Sequence, residues 1–115
     1  MDIQPAQPGE CLIIPKSHID HFTDIPDDLA ADIMVTAQNL GRRIREVFSP
    51  KRVGMVVHGF GVPHAHLILV PQRNADDITS GRLARIENGN ITFDITNIAK
   101  VSRDELDRQA ERLRM

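Results

Sequence analysis

The sequence predicts an α+β domain, an antiparallel sheet with one long helix across it and a second helix at the C-terminus. Three observations predict it: short apolar runs bounded by Pro and Gly, one long stretch of helical periodicity, and a Ser-x-x-Glu capping signal near the end. Residues 1–10 hold Pro5, Pro8 and Gly9 among polar residues and read as a loop. Cys11-Leu12-Ile13-Ile14, closed by Pro15-Lys16, reads as a buried strand. Over residues 26–48, Leu29, Ile33, Ala37, Leu40, Ile44 and Val47 recur at steps of three and four and form one stripe. Asp27 and Asp28 at its start and Arg42, Arg43 and Arg45 near its end complement a helix dipole, and Ser49-Pro50 stops it. Gly41 inside the helix suggests a neighbour that approaches closely. Residues 52–57 and 64–70, joined by a tight Gly59-Phe60-Gly61 segment and closed by Pro71, read as a hairpin. A long irregular stretch follows, then Asn88-Gly89 and a last strand over residues 91–95. Ser102 and Glu105 form a capping box that opens a helix running to Leu113.

The 115 residues suit one domain, 1–115. Hydrophobic residues at 41% and charged residues at 26% exclude a disordered or collagen-like chain. No apolar run approaches the roughly 18 residues of a membrane span, so no membrane partner is expected. The first residues lack the basic and apolar regions of a secretory signal. Cys11 is the single cysteine and cannot form an internal disulfide, which suits a reducing cytoplasm. A net charge of −2 exerts no overall pull on nucleic acid, and 3% aromatics offer no stacking platform, so no nucleic-acid partner is expected.

Three of the five histidines crowd into the segment from His58 to His66. In an extended strand His64, His66, Ile68 and Val70 share one face, and Ala65, Leu67 and Leu69 the other. Two imidazoles about 7 Å apart along a strand can address a single ligand group. A neutral imidazole keeps a lone pair and serves as nucleophile, base or metal ligand. A surface strand that carries two histidines fits the spacing equally well. Gly59 and Gly61 would let backbone amides approach a phosphate, or they mark a plain turn. His18 and His21 read as loop residues outside the site. Arg42, Arg43 and Arg45 read as a solvated helix face, Lys51-Arg52 as an exposed turn, and Cys11, Met34 and Met55 as core.

The run Val62-Pro63-His64-Ala65-His66-Leu67-Ile68-Leu69-Val70-Pro71 resembles the signature of the histidine triad (HIT) superfamily. The likeness extends through Asp2-Ile3, Pro8-Gly9, Leu12-Ile13-Ile14-Pro15-Lys16 and His18, and covers residues 2 to about 73. The resemblance implies a HIT-like fold and chemistry at a nucleotide α-phosphate, by a hydrolase or nucleotidyl transferase. It casts His66 as the nucleophile that forms a nucleotidyl-histidine, and His64 as its assistant beside the phosphate. It assigns Asp2 and Ile3 to ribose contacts. It sets His58, Gly61 and Val62 around the substrate, with loop amides on the phosphate oxygens. The partner implied is a small-molecule nucleotide, no metal or other cofactor is called for, and a homodimer is expected.

The sequence departs from the family pattern in several places. The third triad position is Ile68, which can neither donate nor accept a hydrogen bond, so weak turnover is expected. Glu10 stands where the family carries a further histidine, and a carboxylate there would oppose an anionic phosphate. His58 replaces a polar residue at the end of the preceding strand. By the resemblance, the chain is expected to lack an initial hairpin that commonly helps form the base pocket. Two other readings therefore stand beside the enzyme. One is a catalytically silent nucleotide-binding module; the other is a metal protein using His64 and His66 with Glu10 or His58.

Overall fold

The structure is a computed structural model that describes residues 1, 5–78, 84–93 and 99–115. Three strands make the main sheet: β1 (Cys11–Ile13), β2 (Arg52–Val57) and β3 (Leu67–Gln72), in the order β1-β3-β2 with every pairing antiparallel. Leu69 lies opposite Cys11 on one side and Met55 on the other, and Leu67 opposite Ile13 and Val57. The alternation of a strand then sends Leu67 and Leu69 to one face, where they are buried with Cys11 against helix α1 (Asp27–Phe48).

The expected apolar stripe is the buried face of α1. Ala37, Gly41 and Ile44 are buried, and Ile33, Leu40 and Val47 pack around the same core. Gly41 is not forced by space, because a Cβ there would meet Val53 Cγ1 at an ordinary 3.8 Å. Pro26 starts the helix without a side-chain cap, and Ser49 ends it in the left-handed region, its N–H donating to Arg45 O at 3.1 Å.

Helix α2 (Arg103–Leu113) closes the core with Leu113. Ser102 caps it by accepting from Glu105 N–H at 3.3 Å. The Glu105 carboxylate turns instead to Arg108 and Gln109, so only half of the expected box forms. Gln109 Oε1 accepts from Gly9 N–H at 3.0 Å, and Arg112 donates to Val47 O while lying over the Phe48 ring. Gly9 has φ of +89° and a Cβ there would press on the Phe48 ring at 2.8 Å, so only glycine fits where the N-terminal segment crosses the end of α1. Cys11 is core as expected. Burial pushes its thiol up, and Sγ–H donates to Gly9 O.

Four expectations need correction. The strand expected over 64–70 begins only at Leu67, and Pro71 lies inside it rather than closing it. Pro71 is accepted there because β1 pairs only as far as Leu69, leaving β2 as the one partner of that end. The link between β2 and β3 is the nine-residue segment 58–66, not a tight hairpin turn. The irregular stretch contains β4 (Ala84–Glu87), which pairs with β5 (Asn90–Phe93) across Asn88-Gly89, both with positive φ. Residues 94 and 95 of the expected last strand lie outside the described residues. Met34 and Met55 are not core: they are 42% and 46% exposed. No helix among the described residues is long and apolar enough to cross a membrane.

Candidate active site

The segment between β2 and β3 carries His58, His64 and His66, and cross-chain hydrogen bonds hold its second half. Ala65 N–H donates to Ile19 O at 2.7 Å, and His64 Nε2 donates to the Pro15 carbonyl at 2.9 Å. These bonds keep residues 64–66 out of the β-ladder, so the two histidines are placed by loop geometry and not by strand alternation.

His66 is half-buried, and its Nδ1 lies 2.8 Å from the His64 carbonyl oxygen. A carbonyl only accepts, so Nδ1 carries the proton and Nε2 keeps a lone pair. No described residue takes that nitrogen. The residue borders two concavities. The larger, about 240 Å³, is apolar and lined by Ile13, Phe22, Ile33, Met34, Met55 and Val57 besides His66. The smaller, about 120 Å³, brings Asp20, His21, His58 and Gly59 to His66.

His58 shares the smaller concavity with His66. Its Nδ1 lies 3.1 Å from Phe60 O and 3.2 Å from Phe60 N, which holds the turn of the loop. Gly61 (φ +107°) and Val62 lie on the exposed part of the loop and line neither concavity. Asp2 and Ile3 lie outside the described residues.

Two histidines read as bystanders belong to this neighbourhood. His18 meets the His64 ring edge-on, with centroids 5.5 Å apart, and His21 shares the small cavity with His66. The Ile19–Ala65 bond draws them in, and no local pattern announces a contact between residues so far apart in sequence. Glu10 lines neither concavity; it is buried, and its Oε2 accepts from Ala6 N–H at 2.8 Å. Among the described residues no three His, Cys, Asp or Glu are grouped to hold a metal ion, so His64, His66 and Glu10 or His58 do not assemble into such a set.

Residues 1–75 match the HIT domain. The chain belongs to the HIT family. It is 36% identical over 76 residues to the adenosine 5'-monophosphoramidase HNT1 of Saccharomyces cerevisiae, covering 64% of this chain and 48% of that protein. It is 25% identical over 81 residues to the bifunctional bis(5'-adenosyl)-triphosphatase/adenylylsulfatase FHIT of Arabidopsis thaliana, covering 66% of this chain and 45% of that one. This HIT domain thus spans about half the length of these curated relatives. The fold is that of a Hit-like protein from Bartonella henselae, with a TM-score of 0.75 at 19% identity over 99% of this chain and 75% of that one. A Zn-bound histidine triad family protein from Mycobacterium smegmatis superposes with a TM-score of 0.68 at 25% identity, over 98% of this chain and 74% of that one.

Proposed function

We propose that this HIT domain is a nucleotide hydrolase that acts at the α-phosphate through a nucleotidyl-histidine on His66. The observation that carries the reading is the Nδ1–H bond to His64 O, which leaves Nε2 as the basic nitrogen of a residue bordering two concavities. The Nε2 lone pair attacks phosphorus and the bond to the leaving group breaks, its electron pair departing with that group. Water then attacks the same phosphorus, the P–N bond breaks, and the pair returns to Nε2 with release of a nucleoside monophosphate. An acceptor other than water would make the second step a nucleotidyl transfer. Throughout, the His64 carbonyl holds the Nδ1 proton and the ring orientation. A neutral His64 ring with its proton held on Nε2 by the Pro15 carbonyl has none at Nδ1, so the leaving group takes its proton from water, and the proton of the attacking water returns to solvent.

The curated relatives named above are an adenosine 5'-monophosphoramidase and a bis(5'-adenosyl)-triphosphatase/adenylylsulfatase, and this supports a nucleotide as substrate. Incubation with adenosine 5'-phosphoramidate followed by intact-mass measurement tests the reading: an adduct of one adenylyl group is expected, and a protein that binds added AMP yet forms no adduct and releases no AMP from the phosphoramidate would defeat it.

That second outcome is the silent nucleotide-binding module, and Ile68 is the observation in its favour. Ile68 is half-buried in an apolar row between Leu12 and Val56, where the family pattern calls for a third histidine. Ile68→His is expected to raise AMP release by about 100-fold, the lower end of what a positioned proton donor contributes. Steady-state release of AMP measures it, and an unchanged rate argues that the site lacks more than this one group.

The domain is also proposed to work as a cytoplasmic homodimer. β2 has an open edge, and Met55, Val57, Met34 and Val35 are between 42% and 55% exposed along it and on α1. Sedimentation equilibrium is expected to give twice the chain mass, with Val57→Lys shifting it to the monomer. A monomer at all concentrations counts against this assembly.

A further inference from the structure

At the end of the sheet remote from His66, α1 finishes, β2 begins and β3 finishes, and each segment brings cations. Arg42 and Arg45 come from the last turns of α1, Lys51 and Arg52 from the entry to β2, and Arg73 from the residue after β3. All five are exposed. They line two adjoining depressions, of about 670 and 360 Å³, which share Lys51 and Arg52. Among the described residues no carboxylate lines either one, and the other polar groups are the amides of Gln38, Gln72 and Asn74.

Four arginines elsewhere make a contrast, although Arg112 on α2 donates to a carbonyl. Arg43, Arg103, Arg108 and Arg114 each hold a carboxylate at 3.1 Å or closer. In the groove, Arg42 donates to Asn39 Oδ1 and Arg73 to the Phe48 carbonyl, and no described residue pairs with Arg45, Lys51 or Arg52. Two neighbouring acids are engaged elsewhere. Glu46 holds Arg43, and the buried Asp77 carboxylate accepts from the backbone N–H groups of Arg73 and Asn74. Compensation of a helix dipole accounts for Arg42 and Arg45 but not for Lys51, Arg52 and Arg73, which lie off the helix. In a chain of net charge −2, five like charges gathered at one place make a local positive field that an anion would relieve.

We propose that this groove binds a chain of linked phosphates, inorganic polyphosphate, independently of the reaction at His66. Guanidinium and ammonium groups beside amide donors suit phosphate oxygens. Their spread from α1 across β2 to β3 matches several anionic groups in a row better than a single one. Among the described residues no aromatic ring lines the groove, so nucleic-acid bases find no ring to stack on there. The site is separate from the first: Arg52 and Val57 are the two ends of β2, about 17 Å apart at strand spacing.

The test is anisotropy of labelled medium-chain polyphosphate with the full chain across a salt series. Saturable binding that weakens as salt rises is expected. Lys51→Glu with Arg52→Glu should weaken it by about 10-fold or more and flatten the salt slope by about 2. Arg103→Glu with Arg114→Glu, which alters cations already paired on α2, should leave it nearly unchanged, and so should His66→Ala. Should the first variant fail to fold by thermal melt, Arg45→Gln with Lys51→Gln must show a loss in the same direction. The proposal is overturned by absent binding, or by equal loss in the groove and α2 variants. It is overturned as well if orthophosphate competes equally per phosphorus, leaving an isolated anion site, or if an oligonucleotide of equal charge binds more tightly.

Discussion

His66→Ala is expected to abolish the adenylyl adduct and to cut AMP release by about 10⁴-fold or more, as removal of a nucleophile does elsewhere. The size of the effect follows from the geometry around one ring. Nδ1 is committed to the His64 carbonyl, so Nε2 is the atom of this residue able to bond phosphorus. Alanine leaves the backbone bond of Ala65 to Ile19 and the His64 bond to Pro15 in place. AMP affinity by calorimetry should therefore change little while chemistry is lost. Turnover that survives His66→Ala would place the nucleophile elsewhere, with His21 and His58 in the adjoining cavity as the next residues to substitute.

Ile44→Ala is expected to cost about 2–5 kcal/mol of stability, read as a lower urea midpoint with an unchanged slope. Ile44 has no exposed surface and packs in one cluster with Ala37, Leu67, Leu69 and Leu113. That cluster joins α1 to the central strand and α2, so no single element can shift to fill the space without disturbing the others. Against a total of about 5–15 kcal/mol the loss is severe. Leu67 directly follows His66, and a loosened core should also blunt the histidine site before global unfolding. Ile14→Ala, at a position 55% exposed, should cost well under half as much. A small loss at Ile44 would mean that the core repacks freely.

Much of this was open to reading before any coordinates. The helix over Asp27–Phe48 is legible because its stripe has the helical period and because Ser49-Pro50 ends it. The strand Arg52–Val57 is legible because its apolar run is bounded by turn residues on both sides. β4 was missed because Ala84-Arg85-Ile86-Glu87 is short and weakly patterned, although Asn88-Gly89 calls for a strand on either side. The placement of Met34 and Met55 went wrong because apolar character says nothing of whether a neighbour arrives to cover it.

The amino-acid order alone determined the long helix, the central apolar strand and the presence of His64 and His66 just before it, which follow from local spacing that a single segment expresses without help from distant ones. The likeness to the HIT signature was legible there too. Only the tertiary structure decided how His66 is held, that His18 and His21 gather at the same loop, that Glu10 turns away to Ala6, and that five cations meet at the far end of the sheet. Each of those depends on hydrogen bonds or juxtapositions between residues remote in sequence. Their partners are chosen by the way α1 and the sheet pack together, which no local pattern encodes.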